Sequence, residues 1–121
     1  YQGRSIEEYK KEFEVLLRMS LDFAAENKNK VFVISIPDYS YTPFGESNQA
    51  VVSPLIDLFN SVNKHLADSM SVKYFDITSI SRKGLSDPSL VTGDRLHPSG
   101  KMYHLWVDLM LKDVIQLISN P

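Results

Sequence analysis

Asp94 and His97 stand three residues apart in the run Gly93-Asp94-Arg95-Leu96-His97-Pro98-Ser99-Gly100, just ahead of a helical pattern. A loop of that spacing can fold so that the carboxylate reaches the imidazole. A carboxylate that accepts the Nδ1 proton fixes the tautomer and leaves Nε2 free to act as a base. Pro98 and the helix start would pin the ring in place. The structural alternative is an Asp that closes a turn and a His that packs under the helix. Other chemistry is harder to build. The chain has no Cys, which removes thiolate nucleophiles, disulfides and Cys-ligated zinc. His65 follows Lys64 on the polar side of a helix, and His104 sits beside Tyr103 on the last one; neither has a partner at metal-ligand spacing. His97 and His104 straddle a helix start and do not make a zinc signature. No metal or cofactor is expected.

Helical and strand patterns alternate around this motif, the signature of an α/β protein with a parallel sheet. Ser5-Ile6-Glu7-Glu8 reads as a capping box opening a first helix, with Ile6, Tyr9, Phe13, Leu16, Leu17 and Ala24 as its apolar face and Asn27–Lys30 as its stop. Its acid and base residues (Glu7, Glu8, Lys10, Lys11, Glu12) read as a solvated face. Val31–Ile36 is apolar without alternation, as expected of a strand covered on both faces, and Pro37 ends it. An irregular stretch runs to Ser53. A second helix is expected from Ser53-Pro54, burying Leu55, Ile56, Phe59, Val62 and Leu66. Val72–Ile77 is a second strand, Thr78–Pro98 a second long loop. A last helix from Ser99-Gly100 carries Met102, Leu105, Trp106, Leu109, Met110, Val114, Leu117 and Ile118 on one flank.

In open α/β sheets ligands bind beyond the carboxyl ends of the strands, where both long loops emerge. Tyr39, Tyr41 and Phe44 on the first of them are expected to line a substrate pocket. Ser40, among them, lacks the strained strand-to-helix turn that exposes a nucleophile, and reads as a hydroxyl bonding its own loop.

The 121 residues allow one domain, and 13 Lys+Arg against 15 Asp+Glu give a net charge of −2. That balance argues against a nucleic-acid module, which would carry a basic face. The longest apolar run, Val31–Ile36, is far below the ~18 residues of a membrane span, and no signal-peptide pattern opens the chain. The reading is a soluble domain, cytoplasmic or exported. Two strands are too few for a sheet, since sheets usually hold ~4–6. The expectation is therefore the C-terminal portion of a larger α/β domain whose first strands lie upstream of Tyr1.

The D-x-x-H block with its following Pro, small residue and helix (Asp94, His97, Pro98, Ser99, Gly100) resembles the last block of the SGNH, or GDSL-like, esterases and lipases. Val31–Pro43 looks like that family's penultimate strand and loop, and Tyr74–Ile77 like the strand before the block. Tyr1–Ser5 resembles the stretch after its G-x-N-[DN] block. The resemblance covers residues 1–121 but only the family's C-terminal part. It implies a three-layer α/β/α, flavodoxin-like parallel sheet, incomplete in this chain. It also implies hydrolysis of a small-molecule ester through an acyl-enzyme, without cofactor, with His97 as base and acid and Asp94 as its orienting carboxylate. The family's G-D-S nucleophile block is absent here, so resemblance assigns no nucleophile to any residue present and places it upstream. On that account the isolated chain is inactive. The rival reading is a non-catalytic α/β binding or scaffold piece with a vestigial Asp/His. A flavodoxin-like ligand module has no glycine-rich phosphate loop to support it.

Overall fold

A computed structural model of the chain describes residues 5–119. The resemblance of Tyr1–Arg4 to the stretch after G-x-N-[DN] lies outside the described residues. The elements run α1 (Ile6–Phe23), β1 (Phe32–Ile34), α2 (Gln49–Ser69), β2 (Lys73–Phe75), α3 (Thr78–Ser81) and α4 (Gly100–Ser119), with four one-turn 3₁₀ segments between them. Strands β1 and β2 pair in parallel, Phe32 against Lys73 and Ile34 against Phe75, with α2 as the crossover. The expected alternation of helix and strand is thus present as a mixed α/β fold. No helix of the described residues is long and apolar enough to cross a membrane.

The capping box forms as read. Ser5 Oγ accepts from the Glu8 amide at 3.2 Å, and Glu8 Oε2 accepts from the Ser5 amide at 3.0 Å. Helix α1 buries Leu17 and Leu21, with Phe13 and Ala24 half-covered, but Leu16, expected on that face, is exposed. The helix is stopped before Asn27, by Ala25 and Glu26 at φ 52° and 59°. Leu17, Leu21, Leu66 and Ala67 pack on Val31, Val33 and Val72, so α1 and α2 cover one face of the sheet. From the other face Lys73 reaches Asp113 on α4. That side is only partly covered: Phe32 and Ile34 are each 40% exposed, against the expectation of a strand buried on both faces. On α4 only Met102 and Trp106 are buried; Leu109 and Ile118 of the expected flank are exposed.

Two boundaries differ from expectation for identifiable reasons. Helix α2 begins at Gln49, so Pro54 lies inside it and Ser53 does not cap it. The carbonyl that the proline ring cannot serve belongs to Ala50, which is exposed and can bond water. The strands are half the expected length because a buried polar knot ends them. Ser35 Oγ accepts from the Ile77 and Thr78 amides at 2.8 and 3.0 Å, turning the chain out of β2. The Asn60 side chain takes the place of a neighbouring strand for Ile36, accepting from its amide at 2.8 Å and donating to its carbonyl at 3.3 Å. Both long loops leave the sheet at this knot.

Candidate active site

The second loop is held as a small two-stranded clip. Ser99 N donates to Leu90 O and Thr92 N to His97 O, each at 2.8 Å, and Val91 bridges Pro98 in antiparallel fashion. A turn closes the clip, Arg95 N donating to Thr92 O at 2.9 Å, and Arg95 itself stands at φ 69°. Left-handed backbone at a residue other than Gly, Asn or Asp is uncommon and holds only where the surroundings fix it. Leu90, buried with Ile77, Met102 and Trp106, anchors one arm of the clip. Ser99 anchors the other: its hydroxyl donates to Ser89 O at 2.7 Å and accepts from Met102 N at 3.3 Å, capping α4.

This frame brings the two sequence-assigned groups together. Asp94 Oδ2 lies 2.6 Å from His97 Nδ1. Asp94 Oδ1 has a separate task, accepting from the Leu96 amide at 2.9 Å, the His97 amide at 3.0 Å and the Thr92 hydroxyl. One oxygen shapes the turn while the other aims the ring. The Thr92 hydroxyl above all, then the His97 and Leu96 amides and the imidazole, hold the Asp94 carboxyl far below the ordinary carboxylate range. Asp94 therefore stays an anion throughout the pH range in which histidines change charge. The His97 and Asp94 side chains are 70% and 50% exposed, so the pair faces solvent.

Beside His97 lies an open cavity of about 480 Å³. Leu96, Pro98 and Met102 form its wall on the clip side, and Pro37, Tyr39, Thr42 and Phe44 form the wall opposite. The expectation for the first loop thus divides. Tyr39 and Phe44 line the cavity, whereas Tyr41 does not; its ring lies against the Arg82 guanidinium, 5.6 Å from centroid to Cζ. The two loops join where the Phe44 amide donates to Arg95 O at 3.1 Å. Ser40 is fully buried and its hydroxyl donates to Asp38, in keeping with a serine that serves its own loop. His65 is exposed, and His104 stands 3.3 Å from Asp108 on the surface.

Three participants escaped the sequence reading. Thr92 lies two residues before Asp94, an Asx-type spacing that could have flagged it. Asp38 and Arg82, which pair beneath the first loop, are 44 residues apart, and no local pattern links them.

The clip has a second fastening at the start of α4. Lys101 Nζ donates to Asp87 Oδ2 at 2.8 Å and to Ser89 Oγ at 2.7 Å; the Lys101 bond first, then the Ser89 hydroxyl and amide that donate to Asp87 Oδ1, hold the Asp87 carboxyl down to about 2. A carboxyl lowered on folding contributes stability above its unfolded value, near 3.8, and that contribution fades as pH falls through about 2. The pair is exposed, so salt also weakens it. An NMR titration of the Asp87 side-chain carbonyl carbon is expected to give a midpoint near 2, with the Lys101 amide loosening in parallel. A midpoint at the ordinary aspartate value would show that the fastening is not held in solution.

A family model described as GDSL-like Lipase/Acylhydrolase matches residues 2–110. No curated protein and no solved structure matches the chain. The matched span runs from before α1 well into α4 and takes in both loops, the cavity and the Asp94–His97 pair. A match over that span shows the family: the chain belongs to the GDSL-like lipase/acylhydrolase family.

Proposed function

We propose that this chain is the C-terminal portion of a three-layer α/β/α hydrolase domain that cleaves carboxylic esters through an acyl-enzyme. The observation that carries the reading is the 2.6 Å contact of Asp94 Oδ2 with His97 Nδ1 at the rim of an apolar cavity. A donor Nδ1–H leaves Nε2 with a lone pair, as a general base requires. Among the described residues no hydroxyl hydrogen-bonds Nε2, and the serine belongs to polypeptide outside these 121 residues. A β1 paired on one edge alone leaves room for further strands, and the exposed Phe32 and Ile34 leave room for a layer packed on that face.

On this reading the cycle begins at His97. His97 Nε2 takes the serine proton as Oγ bonds to the ester carbonyl carbon. The imidazolium so formed is stabilised by the Asp94 anion 2.6 Å from its other nitrogen. Donors on the missing part receive the oxyanion, each worth about 3–4 kcal/mol in such sites. As the carbon–oxygen bond to the leaving alcohol breaks, His97 returns the proton to that oxygen. A water then repeats the sequence on the acyl-serine, His97 acting again as base and acid.

The cavity walls are largely apolar, which suits an uncharged aliphatic chain on the ester. Each methylene withdrawn from water is worth ~0.8 kcal/mol, about fourfold in kcat/KM at full burial. The complete protein is therefore expected to hydrolyse p-nitrophenyl esters with kcat/KM rising from acetate towards hexanoate, and to be labelled on one serine by a fluorophosphonate. Neither hydrolysis nor labelling would favour the non-catalytic scaffold reading. Hydrolysis indifferent to chain length would remove the cavity from the substrate site and leave the dyad in place.

A further inference from the structure

One part-buried ion pair lies beneath the first loop, where Asp38 also lines the cavity, and bonds none of the reacting groups. Asp38 is 1% exposed. Its Oδ2 accepts from Arg82 Nε at 2.9 Å, and its Oδ1 accepts from the Ser40 amide at 3.0 Å and from the Ser40 hydroxyl. The Asp38 amide donates to Ser81 Oγ at 2.8 Å. The same guanidinium donates through Nη2 to Asp57 Oδ1 at 2.7 Å and Ser53 Oγ at 2.9 Å. Arg82 thus ties the first loop to α2 from its own place beside α3. Lysine, a point charge on a flexible stem, cannot serve these acceptors at once.

What this pair holds leads to the dyad. From Ser40 the chain is stiff: Thr42 Oγ1 donates to Tyr39 O at 2.7 Å, and the Gly45 and Glu46 amides both donate to Thr42 O at 3.0 Å. A Cβ at Gly45 would stand 2.2 Å from Tyr39 O, so the turn closes tightly on itself. The Phe44 amide, inside this turn, donates to Arg95 O. Arg95 is the left-handed residue between Asp94 and the Leu96 and His97 amides that Asp94 Oδ1 receives. A part-buried charge pair that fixes one turn therefore also fixes the strained peptide that shapes the other.

We propose that Arg82 and Asp38 are positioning residues for His97: by locking the Asp38–Gly45 turn they hold the Phe44 amide against Arg95 O and keep Asp94 and His97 in register. The kinetic arm of the test rests on the ester-hydrolase reading; the spectroscopic arm does not. In Arg82→Lys of the complete protein, kcat on p-nitrophenyl acetate is expected to fall about tenfold with KM changed less than about threefold, because the short acyl group makes little use of the cavity wall. In Arg82→Gly, tens of millimolar guanidinium ion is expected to restore part of the lost kcat. In NMR spectra the Phe44 amide of Arg82→Lys should move upfield and exchange faster, and the His97 Nδ1 proton should broaden, while amides of α1 stay in place. Should Arg82→Lys not fold, Asp57→Asn, which removes one exposed acceptor of the same guanidinium, should shift the Phe44 amide in the same sense by less. An unmoved Phe44 amide with unchanged kcat in a folded Arg82→Lys overturns the proposal, as does an unmoved Phe44 amide in Asp57→Asn where that variant stands in. A wild type without esterase activity would overturn the hydrolase reading instead, and the amide readout would still decide the role of Arg82.

Discussion

Replacing His97 by alanine in the complete protein is expected to lower kcat on a short-chain p-nitrophenyl ester by about 10⁴-fold or more, with the melting temperature within about 2 °C of wild type. Both halves of the expectation come from the site. The imidazole is 70% exposed and its side-chain hydrogen bond is to the Asp94 carboxylate, so the fold loses little when it goes. Stability should change only by the few tenths of a kcal/mol typical of surface substitutions. The main-chain bonds that hold residue 97, its amide to Asp94 Oδ1 and its carbonyl to the Thr92 amide, are untouched by the change. On the proposed mechanism the reaction, by contrast, loses its proton carrier. Without Nε2 the serine hydroxyl must ionise unaided and the alkoxide must leave unprotonated, and general acid–base catalysis of each step is worth about 10²–10⁴. Single-turnover measurements would separate acylation from deacylation; both should fall, since one group serves both. A loss below about tenfold would mean that another base works at this site, and the assignment of His97 would fail.

That the dyad was legible at all follows from its locality. Asp94 and His97 are three residues apart, so their contact depends on one turn, and the Pro98-Ser99 cap that ends the turn is written beside it. The capping box of α1 was readable for the same reason. What escaped was set at long range. Val31–Ile36 looks like a six-residue strand, yet β1 ends at Ile34 and Ser35 N to Phe75 O at 2.9 Å is the last bond across, because the Ser35 hydroxyl and Asn60 claim the next backbone groups. Ser35 meets Ile77 across 42 residues and Asn60 meets Ile36 across 24. Apolar periodicity carries no trace of such bonds. Residue type likewise does not say which way an aromatic turns: Tyr39 and Phe44 face the cavity, while Tyr41 between them stacks on Arg82. The strand pattern anticipated cover on both faces, and the exposed Phe32 and Ile34 show that this chain covers one of them only partly. Such a mismatch between apolar sequence and open surface is what a further layer packed on that face of the proposed domain would remove.

Asp94→Asn is the more incisive substitution, because it changes one atom's chemistry and leaves the turn its shape. Asp94 Oδ1 receives two amides and a hydroxyl, all donors, so an asparagine must keep its oxygen there. Its NH₂ group is then forced into the place of Oδ2, against His97 Nδ1. A donor in that place requires an acceptor opposite, so the imidazole takes the tautomer with its proton on Nε2. That nitrogen can no longer accept the serine proton, and the imidazolium loses its counter-charge. The loss of kcat is expected to approach 10⁴-fold, as in a serine protease with the equivalent change, with KM nearly unaltered. Asp94→Ala should differ in kind. It leaves the Leu96 and His97 amides without their acceptor, so the Arg95 turn loosens and the melting temperature falls, while the ring is free to find the productive tautomer part of the time. The pairing predicts an inversion: the asparagine variant the more stable, the alanine variant the more active. Nitrogen-15 spectra of the His97 ring would report the tautomer directly, with Nε2 protonated in Asp94→Asn and Nδ1 protonated in wild type. Wild-type-like ring shifts in the asparagine variant, or a kcat within about threefold of wild type, would show that Asp94 does not govern the tautomer. The division of labour between its two oxygens would then have no catalytic meaning.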